Sequence, residues 1–166
     1  MQKSLQVWQF IYNCLQQATP AILLYVVESK GSSPGRQGFF MAVNRDGEME
    51  GSIGGGIMEH KFVEMAKEQL RQTDEHTTGG SIKKQIHDKP AGSNQSGMIC
   101  SGEQTIILLS ITEKDETVVK SIISSLQQNK NGTLTLSPGF ISFEDKIPAK
   151  NYEFQFHAEQ EWIYRE

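Results

Sequence analysis

Apolar residues recur along this chain with two different periods, and the alternation between them divides it into elements. Val7, Phe10, Ile11, Cys14 and Leu15 fall at helical spacing, which predicts an amphipathic helix over 3–17. Pro20 breaks that pattern, and the unbroken run Ile22 to Val27 predicts a strand buried on both faces. Phe39 to Val43 predicts a second strand, and Asp46-Gly47 a two-residue hairpin turn leading into a return strand at 48–50. Helical spacing resumes with Phe62, Met65, Ala66 and Leu70, so a second helix is expected from Ile57 to about Arg71.

The second half repeats this alternation. Residues 73–80 and 90–97 are polar or small and predict loops, with a lysine-rich strand over Ile82 to Ile86 between them. Met98 to Thr112 predicts a strongly apolar strand. Glu113 to Lys130 predicts a helix with Val118, Ile122 and Leu126 inside, ended by Asn131-Gly132. Short strands follow at 133–136, 140–143, 152–157 and 162–164. The order implies an α+β fold with a mixed or mostly antiparallel sheet and about three helices, in a single domain over 1–166 with a β-rich segment at 133–166.

Composition narrows the function classes. A net charge of -4 without clustered Lys and Arg disfavours nucleic-acid binding. The apolar runs are too short to span a bilayer, and the first residues are too polar for a signal peptide, so no membrane role is expected. Two cysteines without an export signal point to a reducing, cytoplasmic setting. The four histidines have no metal-ligand spacing, so no metal site built by protein side chains alone is expected.

Candidate chemistry concentrates in the turns. One glycine-rich loop reads Gly31-Ser32-Ser33-Pro34-Gly35-Arg36-Gln37-Gly38, and a second, Gly51-Ser52-Ile53-Gly54-Gly55-Gly56, opens into the second helix. Glycine lets a ligand approach the backbone, and a helix start aims free N–H groups at an anion. Arg36 offers a planar fork for a phosphate or carboxylate, or is a solvated loop charge. Glu59 belongs to the first helical turn, as ligand contact or as a plain helix-start acid, with His60 beside it. Neither loop has a Gly-Lys-Ser/Thr ending or dinucleotide spacing. Cys100, beside Ser101 and Gly102, is either an accessible thiol or a core cysteine, whereas Cys14 reads as core.

Taken in order, Gly31-Ser32-Ser33-Pro34 with Gly38, Asp46-Gly47, the second loop with Glu59, and Cys100-Ser101-Gly102-Glu103 resemble the XdhC/CoxI-type accessory factors over roughly residues 5–112. The resemblance implies an N-terminal domain only, without the Rossmann-like half that commonly follows. Gly54 stands where the family commonly has a serine, Ile57 where it has a cysteine, and Ser101 where it has a glycine. Cys100 is then the one thiol left among the motifs.

Family resemblance implies a maturation factor for xanthine dehydrogenase-type molybdenum hydroxylases, more a carrier than an enzyme. It would bind molybdenum cofactor (molybdopterin) for sulfuration and pass it to the apo-enzyme. Gly31, Ser32, Ser33, Arg36, Ser52, Gly54, Gly55, Gly56, Glu59 and Gly102 would line the site, with Cys100 as its reactive group and a contact to the molybdenum. A cysteine desulfurase would be a further partner, and the protein would be a homodimer. The residues alone leave two rivals: a cysteine-dependent transferase or hydrolase of a small anion, and a ligand-free dimeric interaction module.

Overall fold

The computed structural model describes residues 2–72, 79–86, 102–147, 150–159 and 161–166. The elements run α1 (Gln2–Gln16), β1 (Ala21–Gly31), β2 (Phe40–Val43), β3 (Met49–Gly51), α2 (Ile57–Gln72), β4 (Gly80–Ile86), β5 (Gly102–Ile111), α3 (Glu116–Gln127), β6 (Thr133–Ser137), β7 (Phe140–Glu144), β8 (Glu153–Ala158) and β9 (Glu161–Arg165). A five-stranded sheet has the order β3-β2-β1-β5-β4, and a four-stranded sheet the order β7-β6-β9-β8. Neighbouring strands pair antiparallel, in agreement with the α+β expectation.

The large sheet is covered on both faces, which explains the unbroken apolar run of β1. Leu23, Tyr25 and Val27 join Ile107 and Leu109 in a core with α1, α3 and the small sheet. Ile22, Leu24 and Val26 join Ile106 and Leu108 beneath Met58, Phe62, Ala66 and Leu70 of α2. Residues 21 to 27 are all fully buried, and each such leucine or isoleucine contributes about 2 kcal/mol of burial free energy. The strands β6 to β9 therefore close one face of the main core.

Several local expectations change. Strand β1 runs on to Gly31, because after a bulge between Val26 and Glu28 its polar end still pairs with Gly102–Thr105. The hairpin turn has three residues rather than two: the Asn44 N–H donates to the Glu48 carbonyl at 3.0 Å, and Asn44 Oδ1 accepts from the N–H of Asp46 and of Glu48. Of the Asp46-Gly47 pair, Gly47 alone is left-handed. A short 3-10 turn, Glu113–Asp115, precedes α3, and left-handed Asn129 rather than Asn131-Gly132 marks its end. The buried face of α3 centres on Ile122 as expected, with Val119 and Ser125 buried beside it and the expected Val118 and Leu126 packed partly buried against the core. In α1, Trp8 is buried and Phe10 only partly so, since the helix lies between the sheet and α3. The expected loop at 90–97 and the start of the strand at Met98 lie outside the described residues.

Candidate functional site

The two glycine loops meet at the end of the sheet where β1 finishes and β5 begins, on the α2 side. The first loop is closed at its base: the Val26 N–H donates to the Phe39 carbonyl at 2.8 Å, and the Gly38 N–H to the Val26 carbonyl at 2.9 Å. The second loop touches it backbone to backbone. A Cβ on Gly35 would lie 2.1 Å from the Ile53 carbonyl oxygen, and one on Gly54 would lie 2.6 Å from the Gly35 nitrogen. No side chain fits at either position, so the glycines permit the contact.

One buried amide joins the loops. Gln104 on β5 is 1% exposed; its Oε1 accepts from the Gly35 N–H at 3.2 Å, and its Nε2 donates to the Ile53 carbonyl at 3.3 Å. Directly across the β4–β5 pair lies Gln85, whose buried Oε1 has no hydrogen-bond partner among the described residues. Sequence reasoning passed over both glutamines. The available signal was a glutamine on the inward face of an otherwise apolar strand, where a polar group needs a partner.

The second loop is braced from within. Glu59 Oε1 accepts from the Ser52 hydroxyl at 2.5 Å, the Ile53 N–H at 3.0 Å and the Gly55 N–H at 2.8 Å. The Gly54 N–H donates to Ser52 Oγ at 3.2 Å. Amides expected to be open to an anion thus have intramolecular acceptors, and the carboxylate of the first helical turn fills the nest they form. Gly55 and Gly56 keep left-handed backbones with open space where a Cβ would stand.

The candidate residues separate by exposure. Gly31, Ser32, Arg36, Ser52 and Gly56 face solvent, and Gly54 and Gly55 partly so. Ser33 is buried, its hydroxyl donating to the Gly35 carbonyl at 2.9 Å. Gly102 brings the third segment in: a Cβ there would lie 2.7 Å from the Ser33 nitrogen and 2.8 Å from the Lys30 carbonyl oxygen. Cys100 and Ser101 lie outside the described residues. Cys14 is buried as expected, with its thiol pKa pushed up by burial and then by the charge of Glu48. Ile57, where the family commonly has a cysteine, is 73% exposed beside the open glycines.

Residues 14–78 match the model of the XdhC and CoxI family, the same family that the motifs resemble. Over 93 residues the chain is 28% identical to the uncharacterized protein YqeB of Escherichia coli K12, a stretch that covers 56% of this chain and 16% of YqeB. In fold it is similar to a crystal structure of a xanthine dehydrogenase from Bacillus halodurans, with a TM-score of 0.63 and 16% identity over 92% of this chain and 46% of that one. The chain therefore spans less than half the length of either relative. Among the described residues no helix is long and apolar enough to cross a membrane.

Proposed function

We propose that this chain is a molybdenum-cofactor-binding accessory factor that serves a xanthine dehydrogenase-type molybdenum hydroxylase. The observation that carries the reading is the meeting of three motif segments at one end of the sheet: Gly35 on Gly54, and Gly102 on Ser33. Turns with only a connecting role have no need of glycine-tight contacts between three separate segments.

The residues fit such a ligand on one side of the loops. Gly55 and Gly56 have room above their backbone, and Ser32 and Arg36 stand exposed nearby in sequence to the Gly35 contact. Anion binding falls to the Arg36 fork, the Ser32 hydroxyl and the Gly56 end of the second loop. The amides of Ile53, Gly54 and Gly55 serve the loop itself, and Glu59 and Ser33 are braces rather than contacts. When bound, the cofactor supplies an anionic phosphate and a dithiolene-held metal. Cys100, two positions before Gly102, supplies a soft thiolate for the metal end. Delivery to the apo-enzyme in the cytoplasm, a cysteine desulfurase as sulfur source, and a homodimeric state belong to the same reading.

Anaerobic purification with the cofactor-loaded pool, followed by fluorescence assay of the released pterin, tests it. Wild type retains cofactor, and the double variant Ser32→Ala, Arg36→Ala loses most of it. A wild-type protein that retains none, with intact cofactor present, refutes the reading. Cys100→Ala retains cofactor but matures less hydroxylase; unchanged maturation removes the thiol from the mechanism.

A further inference from the structure

Each sheet ends in two edge strands, and an unpaired edge accepts another strand unless something blocks it. The large sheet ends in β3 and β4, the small sheet in β7 and β8. A Cβ on Gly51 of β3 would lie 2.8 Å from Val7 Cγ2, so α1 sits against that strand. The β4 strand exposes Lys83 and Lys84, charges that oppose pairing. Phe143 of β7 and the adjoining Asp145 share a cleft of about 420 Å³ with Thr117 and Ser121, so α3 runs beside that strand.

Neither guard protects β8. Its sequence, Glu153-Phe154-Gln155-Phe156-His157-Ala158, has no lysine or proline, and its last four residues are exposed. Phe154 and Phe156 share a face, with ring centroids 6.5 Å apart. They stand opposite Tyr164 and Trp162 of β9, which are buried, yet Phe156 keeps half its surface in water. A bulge between Phe156 and Ala158 affects only the far end, and Glu153 to Phe156 stay in even register with β9.

The strand is also complementary to itself. Outward-pointing backbone groups alternate along an edge, and a two-fold antiparallel pairing must set like positions together, so its axis passes through a residue. Centred on Gln155, the pairing sets each Phe154 opposite the other copy's Phe156 and each Glu153 opposite the other copy's His157. Aromatic pairs and acid–imidazole pairs both stabilise cross-strand neighbours. Centred on Phe156, it would set Glu153 opposite Glu159, a like-charge clash. The equivalent pairing of β7 about Ser142 would set Phe140 against Glu144. Glu153 already accepts from Gln155 Nε2 at 2.9 Å and from Arg165 at 3.4 Å, which holds the carboxylate beside the edge.

We propose that β8 pairs antiparallel with β8 of a second copy of this chain, about a two-fold axis through Gln155, joining the two small sheets into one. This rests on the homodimeric part of the reading above and assigns it a surface and a register. Tyr152, directly before β8, stands against Gly38 of the first glycine loop, so the pairing strand adjoins the proposed ligand site of its own copy. A single short strand from each copy buries less than a standard interface, so the dimer forms with rising concentration.

Sedimentation of the full chain over a concentration series reads the association. Wild type dimerises, and Phe156→Lys raises the dissociation constant at least about tenfold with an unchanged thermal melt, because that ring is half exposed. The register is read by mild oxidation of single cysteine variants. Directly opposite residues have Cα atoms about 4.5–5.5 Å apart, within disulfide reach. Gln155→Cys therefore links two copies, and His157→Cys links them many-fold less. Should Phe156→Lys fail to fold, the cysteine pair decides. A wild type that stays monomeric overturns the pairing and the homodimer together. A dimer that persists in Phe156→Lys, or equal cross-linking of the two cysteine variants, overturns the β8 pairing alone. Ser32 and Arg36 take no part, so cofactor retention judges the loop reading separately.

Discussion

Two glutamates sit withdrawn from solvent at separate sites in this fold, and they differ in how many donors each oxygen takes. Glu59 Oε1 gathers three, two of them backbone amides of the second glycine loop. Glu166 takes one phenol on each oxygen. The first carboxylate has become part of the backbone's own bonding and acts as a brace. The second retains acceptor capacity on both oxygens. Burial alone does not say which use an acid has; the number and placement of its donors does.

Substitutions that part the brace from its surroundings test this contrast most strongly. Gly35→Ala drives a Cβ into the Ile53 carbonyl and is expected to cost about 3 kcal/mol in urea unfolding. A cost near zero would mean that the loops do not press together. Glu59→Ala strips three donors of their acceptor and should cost about 2 kcal/mol, with faster exchange of the Ile53 and Gly55 amides. Gly55→Ala meets no atom and suffers only the left-handed backbone, so about 1 kcal/mol is expected. If it equals Gly35→Ala, the distinction between contact and conformation fails.

Glu166 gives a smaller, pH-dependent effect. Burial holds its folded pKa above the ordinary glutamate value, so the folded chain keeps a proton that the unfolded chain has released. Stability from this group is present below the ordinary glutamate pKa and is lost as pH rises through the raised one. Thermal melts across the acid range should show that fall in wild type and a flatter profile in Glu166→Gln. The smallest effect is expected at Ile57: replacing this exposed side chain by serine leaves stability within about 0.5 kcal/mol of wild type.

Periodicity made α1, α2 and the central strands legible, because their burial follows directly from sequence spacing. The polar end of β1 was not legible: the apolar run stops at Val27, and Glu28 to Gly31 joins the strand only through its pairing with Gly102–Thr105. The glycines marked where loops approach, but Gln104, which joins them, was hidden inside an apolar strand. Glu59 was visible as a helix-start acid, while its loop partners depended on the turn closing back on it. Glu166 gave no signal, since its partner Tyr25 is 141 positions away in the chain.

The long β1–β5 ladder also sets how the glycine site can move. Its middle, Ile22 to Val26, lies in the doubly covered core, and those amides should exchange with solvent only when the whole fold opens. Beyond the bulge, the Ser29–Gly31 end is less buried and pairs with Gly102, Glu103 and Gln104, the first two of them in the third segment. Fraying can begin there and stop at the bulge. Local opening at that end breaks a few ladder bonds beside the glycine loops while the core stays shut.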